Sequence, residues 1–273
     1  MKKIKFTKIV ASGNDFVIIK NSCSSSLVPR QELVKKICNR KYGAGADGML
    51  LLEKSKKADF RMRIFNADGS EADMCGNGAR CVAFYTRSTL HAPRSTLRIE
   101  TKAGIIEARV LKDNVKIKLT DPREYQEKIP LVIRGRKLTV SFINTGVPHA
   151  IVFVEGIEQI DAVNIGREIR YYKYFLPAGT NVNFAEVLNN HTIKIRTYER
   201  GVEDETLACG TGSAASAIVF GLKSQVSGAR QEIDVITRGG ETLKVYFKKE
   251  ADRISNVWLE GKVKIVHKGE FYV

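Results

Sequence analysis

Cys75-Gly76-Asn77-Gly78 and Cys209-Gly210-Thr211-Gly212 are one short phrase written twice, 134 positions apart in a chain of 273 residues. An offset near half the length constrains the fold more than any other feature, because it implies a duplicated domain. Each phrase opens an apolar stretch, Ala79 to Tyr85 in one case and Ala214 to Leu222 in the other. Other pieces recur in the same order. Gly43-Ala44-Gly45-Ala46-Asp47 resembles Pro177-Ala178-Gly179-Thr180-Asn181, and Gly45 and Gly179 are again 134 apart. Arg63-Ile64-Phe65-Asn66 resembles Arg196-Thr197-Tyr198-Glu199 at an offset of 133, and Thr101-Lys102-Ala103-Gly104 resembles Thr237-Arg238-Gly239-Gly240 at 136. Recurrent glycine turns alone would not keep both order and offset. The expected division is residues 1–118 and 119–263, with 264–273 completing the first domain.

The local patterns indicate an α+β fold with two pseudo-symmetric domains. Ile4 to Lys20 reads as two strands broken at Ser12-Gly13-Asn14-Asp15. Leu97 to Thr101, Ile106 to Val110 and Val115 to Leu119 alternate between short turns, the pattern of antiparallel sheet with one buried face. Pro29 starts a helix with apolar positions Leu33, Val34 and Ile37 that ends before Gly43, and its counterpart covers Val163 to Arg170. The stretches after Cys75 and Cys209 are apolar almost all round, so each is expected as a buried helix with a mostly antiparallel sheet or barrel wrapped around it.

Composition narrows the class. At 43% hydrophobic and 27% charged the chain reads as a globular protein, and no apolar run approaches the ~20 residues a membrane span needs. The Met-Lys-Lys-Ile-Lys-Phe start lacks the apolar core of a signal peptide. Five cysteines without CxxC spacing suit a reducing cytoplasm. Cys23, Cys38 and Cys81 are expected as packing residues. The net charge of +15 is spread over both halves with no dense run and no nucleic-acid motif, so it reads as solvated basic surface that favours acidic small molecules. Neither nucleic acid nor membrane is expected as a partner, and a second copy of the chain is the one protein partner to consider.

A Cys-Gly-x-Gly turn entering a helix presents a thiol beside unpaired backbone N–H groups, where anions bind and a thiol pKa falls into a range of roughly 3.5–7.5. Two such ends facing each other would hold one carboxylate between two thiols. The pair could form a disulfide, bind a metal, act as nucleophile and resolver, or act as base and acid. No His or carboxylate falls at ligand spacing near both cysteines, so no metal is expected. The symmetry suits racemisation, in which one thiolate removes a Cα proton and the other thiol returns one to the opposite face. No lysine sits in a pyridoxal-phosphate context, so no cofactor is expected. Backbone N–H groups of Gly76, Asn77, Gly210 and Thr211 can stabilise the carbanion instead.

Asn66 to Cys81 resembles the first cysteine signature of diaminopimelate epimerases. Ser12 to Val17 resembles their Gly-Asn-Asp-Phe motif, and Tyr198 to Gly201 with Glu205 to Gly212 resembles their second cysteine signature. Pro148-His149 and Gly179-Thr180-Asn181-Val182 match two further family elements. The resemblance implies cofactor-independent conversion of LL- to meso-diaminopimelate, a step to lysine and peptidoglycan, in a cleft between two similar domains. It also implies that Cys75 and Cys209 are the base and acid, with His149 and Glu199 beside the reacting centre, touching its amino group and tuning the thiols. Asn14, Asn66, Asn181 and Arg200 would hold the substrate's polar ends. The chain departs from the usual pattern at Val147, where Asn is common, at Gly48, where Gln is common, and in a longer Gly201–Thr206 loop. The first two departures lead us to expect a slow side reaction on glutamate. A broader two-cysteine racemase and a basic binding module without catalysis are the competing readings.

Overall fold

The repeated phrases mark a duplication that extends strand by strand through a computed structural model, which describes residues 3–21, 31–90, 96–224, 229–250 and 253–272. Cys23 and Pro29 lie outside the described residues. Two compact units emerge, Met1–Ile117 with Gly261–Val273, and Lys118–Glu260.

The first unit runs β1 (Lys3–Ala11), β2 (Asn14–Lys20), α1 (Gln31–Cys38), β3 (Gly48–Glu53), β4 (Phe60–Asn66), β5 (Glu71–Ala72), α2 (Gly76–Leu90), β6 (Thr96–Thr101), β7 (Gly104–Leu111) and β8 (Asn114–Lys118). The second runs β9 (Arg123–Ile133), β10 (Arg136–Asn144), β11 (Pro148–Phe153), α3 (Ala162–Arg170), β12 (Asn181–Asn189), β13 (Thr192–Glu199), β14 (Asp204–Thr206), α4 (Gly210–Lys223), β15 (Arg230–Ile236), β16 (Thr242–Glu250) and β17 (Arg253–Lys262). β18 (Lys264–Tyr272) returns to the first unit and pairs antiparallel with β1, as β9 pairs with β10.

Ladders correspond one to one. β1–β2, β3–β4, β4–β5 and β6–β7 are antiparallel, as are β10–β11, β12–β13, β13–β14 and β15–β16. β2–β3 and β4–β6 are parallel, like β11–β12 and β13–β15, because a helix crosses over between the paired strands in each case. The fold is therefore α+β with mostly antiparallel pairing. α2 packs against β1, β2, β3, β4, β6 and β7, and α4 packs against the six equivalent strands of its own unit.

Both faces of each central sheet are covered. Val34, Ile37 and Cys38 of α1 join Val17, Ile19, Met49, Leu51 and Phe65 in one core, while Gly78 of α2 meets Leu50 and Ile64 on the other face. That double cover explains the near-continuous burial of β2 and β3. In the second unit Ala162 and Ile169 of α3 pack on Val182, Phe184 and Tyr198.

Two local expectations need adjusting. The break between β1 and β2 is shorter than Ser12 to Asp15, because Ala11 already pairs with Asn14. Ser12 and Gly13 alone make the turn with φ of 49° and 81°, the double positive φ of a tight hairpin. The expectation that both cysteine helices are apolar all round holds for α4, where Gly212 to Gly221 are all buried. It fails for α2, whose buried face includes the fully enclosed Arg80. Among the described residues no helix is long and apolar enough to cross a membrane.

Candidate active site

Each unit brings part of the expected site to the N-terminus of its central helix. In the first, Cys75 immediately precedes α2; its carbonyl accepts from Ala79 N at 2.9 Å, and its Sγ lies 3.5 Å from Gly78 N. A Cβ on Gly76 would stand 3.3 Å from Ile117, so a bare backbone keeps the entry to the helix open. Asn77 Nδ2 donates to Asn14 Oδ1 at 2.5 Å, which ties the β1–β2 turn to the first turn of α2.

Two groups that sequence reasoning missed hold this arrangement. Arg80 donates from Nη2 to Ser12 Oγ and to Asn77 Oδ1, each at 2.6 Å, from a position with no exposure. Behind Asn14, Asp47 accepts from its Nδ2 at 3.3 Å and belongs to an ion cluster. Within it Arg40 bonds both Asp15 and Asp47, and Lys8 Nζ sits 2.6 Å from Asp15. Burial alone would raise the Asp15 pKa, but Arg40, Lys8 and the Asp47 amide together hold it well below the usual carboxylate range. The only sequence hint was Asp47 in the recurrent Gly-Ala-Asp phrase. Asn66 has a different attachment. It ends β4, exposed, with Nδ2 on Ser70 Oγ at 2.9 Å and its N–H on Ser70 O.

Gly48 has a steric reason. A Cβ there would lie 2.7 Å from the Phe65 carbonyl oxygen, so β3 can approach β4 only without a side chain at this position. The missing Gln of the sequence comparison is thus a packing demand, and only Val147 remains as a lost polar group.

In the second unit Cys209 caps α4 in an extended conformation, and its carbonyl accepts from Ser213 N and Oγ, both at 2.8 Å. Its Sγ lies 3.5 Å from Thr211 Oγ1. The expectation of a lowered thiol pKa fails here. Burial pushes the Cys209 thiol up to about 12, and the nearby Glu199 charge adds to the rise. Hydrogen bonds from Thr211 and Gly212 oppose it without prevailing. Cys209 therefore rests protonated. Neither Cys75 nor Cys209 forms a disulfide among the described residues.

Around Cys209's helix lies a row of buried polar residues on β11, β12 and β13. His149 is opposite Asn181 across the parallel ladder. Asn181 Nδ2 donates to Pro148 O and its Oδ1 accepts from Arg200 N, both at 2.9 Å, so one side chain links the His149 and Glu199-Arg200 segments. Arg200 extends its guanidinium to Ala178 O at 3.1 Å. Burial raises the Glu199 pKa despite a hydrogen bond from Thr206 Oγ1 at 3.0 Å. Burial, reinforced by the Arg200 charge, lowers the His149 pKa to about 3, so its imidazole is neutral at ordinary pH. Asn183, which the sequence reading passed over, donates from Nδ2 to His149 Nδ1 at 3.0 Å and accepts from Thr197 Oγ1 at 2.9 Å. Its alternation with Asn181 in an otherwise apolar strand is the signal that could have found it. Among the described residues no cluster of three or more His, Cys, Asp or Glu could hold a metal ion.

Duplicated α+β units, each carrying a cysteine at the N-terminus of a buried helix, define a class of two-thiol proteins. The family model for diaminopimelate epimerase matches residues 6–124 and 141–266. A diaminopimelate epimerase of Aquifex aeolicus is 43% identical, with 97% of each chain covered. One from Methanocella arvoryzae is 41% identical over 100% of this chain and 98% of its own. The chain belongs to the diaminopimelate epimerase family. Among solved structures, a Bacillus anthracis phenazine biosynthesis protein of the PhzF family superposes with a TM-score of 0.78 at 19% identity, both chains fully covered. A hydroxyproline epimerase from Agrobacterium vitis does so with 0.69 at 15%, covering 99% of this chain and 91% of its own. At those identities they share the fold.

Proposed function

We propose that the protein is an isomerase that interconverts LL- and meso-diaminopimelate without a cofactor, in the cytoplasm, on the route to lysine and peptidoglycan. The observation that carries this reading is the cysteine placed at the same point of both units, in a chain that matches the family over nearly its whole length. In one direction a Cys75 or Cys209 thiolate takes the α-hydrogen as its S–H proton, leaving the electron pair on carbon. The other thiol then gives its proton to the opposite face and becomes the thiolate. The roles exchange in the reverse direction. A thiol held protonated, as Cys209 is, suits the donating step.

Backbone N–H groups of Gly76, Asn77, Gly210 and Thr211, at two helix N-termini, stabilise the charge that develops on the substrate carboxylate. Glu199 and His149 stand at the reacting centre, and Asn14, Asn66, Asn181 and Arg200 position the polar ends. Diaminopimelate is the preferred substrate, because an analogue lacking the distal amino-carboxylate leaves buried groups unpaired at about 1–3 kcal/mol each. The glutamate side reaction now rests on Val147 alone.

Proton NMR of LL-diaminopimelate in D2O with the reduced protein tests the proposal. Loss of the α-proton signal with appearance of the meso isomer is expected. Unchanged substrate after long incubation refutes it. L-Glutamate under the same conditions measures the side reaction.

A further inference from the structure

His149 is completely enclosed, yet its Nε2 meets no hydrogen-bond partner among the described residues. Its other ring nitrogen is fixed. Asn183 Oδ1 is engaged by the Thr197 hydroxyl at 2.9 Å, which leaves the Asn183 amide nitrogen 3.0 Å from His149 Nδ1. An amide NH2 only donates, so Nδ1 must accept and the ring proton must sit on Nε2. Asn183 is itself immobilised. It is fully buried, and a Cβ on Gly212, in the first turn of α4, would stand 2.3 Å from its Oδ1. Only a glycine there lets the helix that begins at Cys209 settle against this amide. Asn183 is thus held by Thr197 of β13 and closely approached by Gly212 of α4, the helix that begins at the thiol.

Resting on the epimerase reading, we propose that Asn183 is a positioning residue that locks His149 as the Nε2–H tautomer, so that His149 meets the substrate as a hydrogen-bond donor to a carboxylate oxygen. The low basicity of the buried imidazole fits this role, because a ring that stays neutral keeps both its lone pair on Asn183 and its N–H for the substrate. This revises the contact with the amino group implied by the family resemblance. An Nε2–H cannot accept from an ammonium, whereas a carboxylate offers it an acceptor. A buried donor without a partner is costly, and substrate binding removes that cost.

The decisive measurement is long-range proton–nitrogen correlation NMR on wild-type protein with 15N-labelled histidine, with the His149 signals assigned by their loss in His149→Gln. A neutral ring protonated at Nε2 near pH 7, with the Nε2 proton shifting when diaminopimelate is added, is expected. An Nδ1–H tautomer or an imidazolium in the free wild-type protein overturns the proposal, and no variant has to fold for that outcome to be read. Asn183→Asp should invert the pattern, because a carboxylate accepts from Nδ1–H. Its kcat should fall about tenfold or more while KM changes less. An unchanged tautomer in Asn183→Asp, or full activity with an inverted one, also overturns it. Lack of α-proton exchange by the wild type, with the Nε2–H tautomer in place, would instead refute the epimerase reading and leave the tautomer assignment standing.

Discussion

In the first unit the cysteine helix is tied down by charge, and in the second by close approach and neutral hydrogen bonds. Arg80 joins the Ser12 hydroxyl to Asn77 across the start of α2. At the equivalent place in α4 stands Ala214, and Thr145, the counterpart of Ser12, donates directly to Thr211 O at 3.2 Å. The ladders hold the remaining counterparts in register. Phe16 opposite Gly48 becomes His149 opposite Asn181, and Asn66 at the end of β4 becomes Glu199 at the end of β13. Backbone pairing has been kept while polarity at the helix N-termini has diverged. The difference teaches that the duplication supplies two thiol positions but not two equivalent environments. The buried titratable groups His149 and Glu199 sit in the second unit, and the ion cluster of Lys8, Asp15, Arg40 and Asp47 sits in the first.

Inequivalent surroundings should not make either thiol dispensable. Cys75→Ala and Cys209→Ala are each expected to lower the epimerisation rate by about 10³-fold or more, with circular dichroism unchanged. Substantial turnover by one of them would show that a single thiol serves both faces. The contrast in bracing predicts the next largest effect. Arg80→Met should destabilise the protein by about 3 kcal/mol in urea unfolding, because two hydrogen bonds to a buried cation are lost. Thr145→Val should cost about 1 kcal/mol by the same measurement. Equal losses would erase the distinction between the two units.

A sharper comparison uses a feature both units retain. Arg63 pairs with Glu71 at 2.8 Å and Arg196 with Glu205 at 2.6 Å, at equivalent points of β4 and β13. Arg196 also donates to the carbonyls of Ile157 and Ile160 at 3.0 and 2.8 Å, and its side chain is 9% exposed against 17% for Arg63. Arg196→Met should therefore cost about 3 kcal/mol and Arg63→Met about 1 kcal/mol in the same assay.

The smallest effect concerns acid. His149 titrates in the folded protein near 3, below its ordinary 6.5, so the unfolded chain binds its proton first. The stability this residue contributes is present above pH 6.5 and is lost as pH falls towards 3. Thermal unfolding of His149→Gln should depend less on pH across that window than that of the wild type. Parallel curves would remove His149 as a source of acid sensitivity.

The duplication was legible in the sequence because glycines record backbone conformation. Gly45 and Gly179 have φ of 67° and 66°, and Gly104 and Gly240 have 121° and 80°, so the repeated phrases mark repeated left-handed turns. The ends of α3 and of the β6 to β8 meander followed from alternation and apolar spacing. Arg80 was not legible, since one arginine in an apolar helix gives no sign that Ser12, 68 positions away, will receive it. Nor was the cluster of Lys8, Asp15, Arg40 and Asp47, which only the parallel pairing of β2 with β3 and the turn after α1 bring together. The thiol expectation failed at Cys209 because a helix N-terminus is visible in sequence whereas desolvation is not.

β18 carries a consequence for biosynthesis. The ribosome makes the strands from β9 to β17 in one uninterrupted run, so the second unit has its full set of strands as soon as that run has emerged. The first unit waits, since β1 takes its outer partner from Lys264–Tyr272, in the register Lys3 with Tyr272 through Val10 with Lys264. The half of the protein made first is thus the last to be finished. Its Ser12–Gly13 turn, which carries Asn14 to the Cys75 helix, hangs from the end of that same β1 strand. A nascent chain that stalls after β17 would hold a complete Cys209 half beside a Cys75 half still lacking an edge.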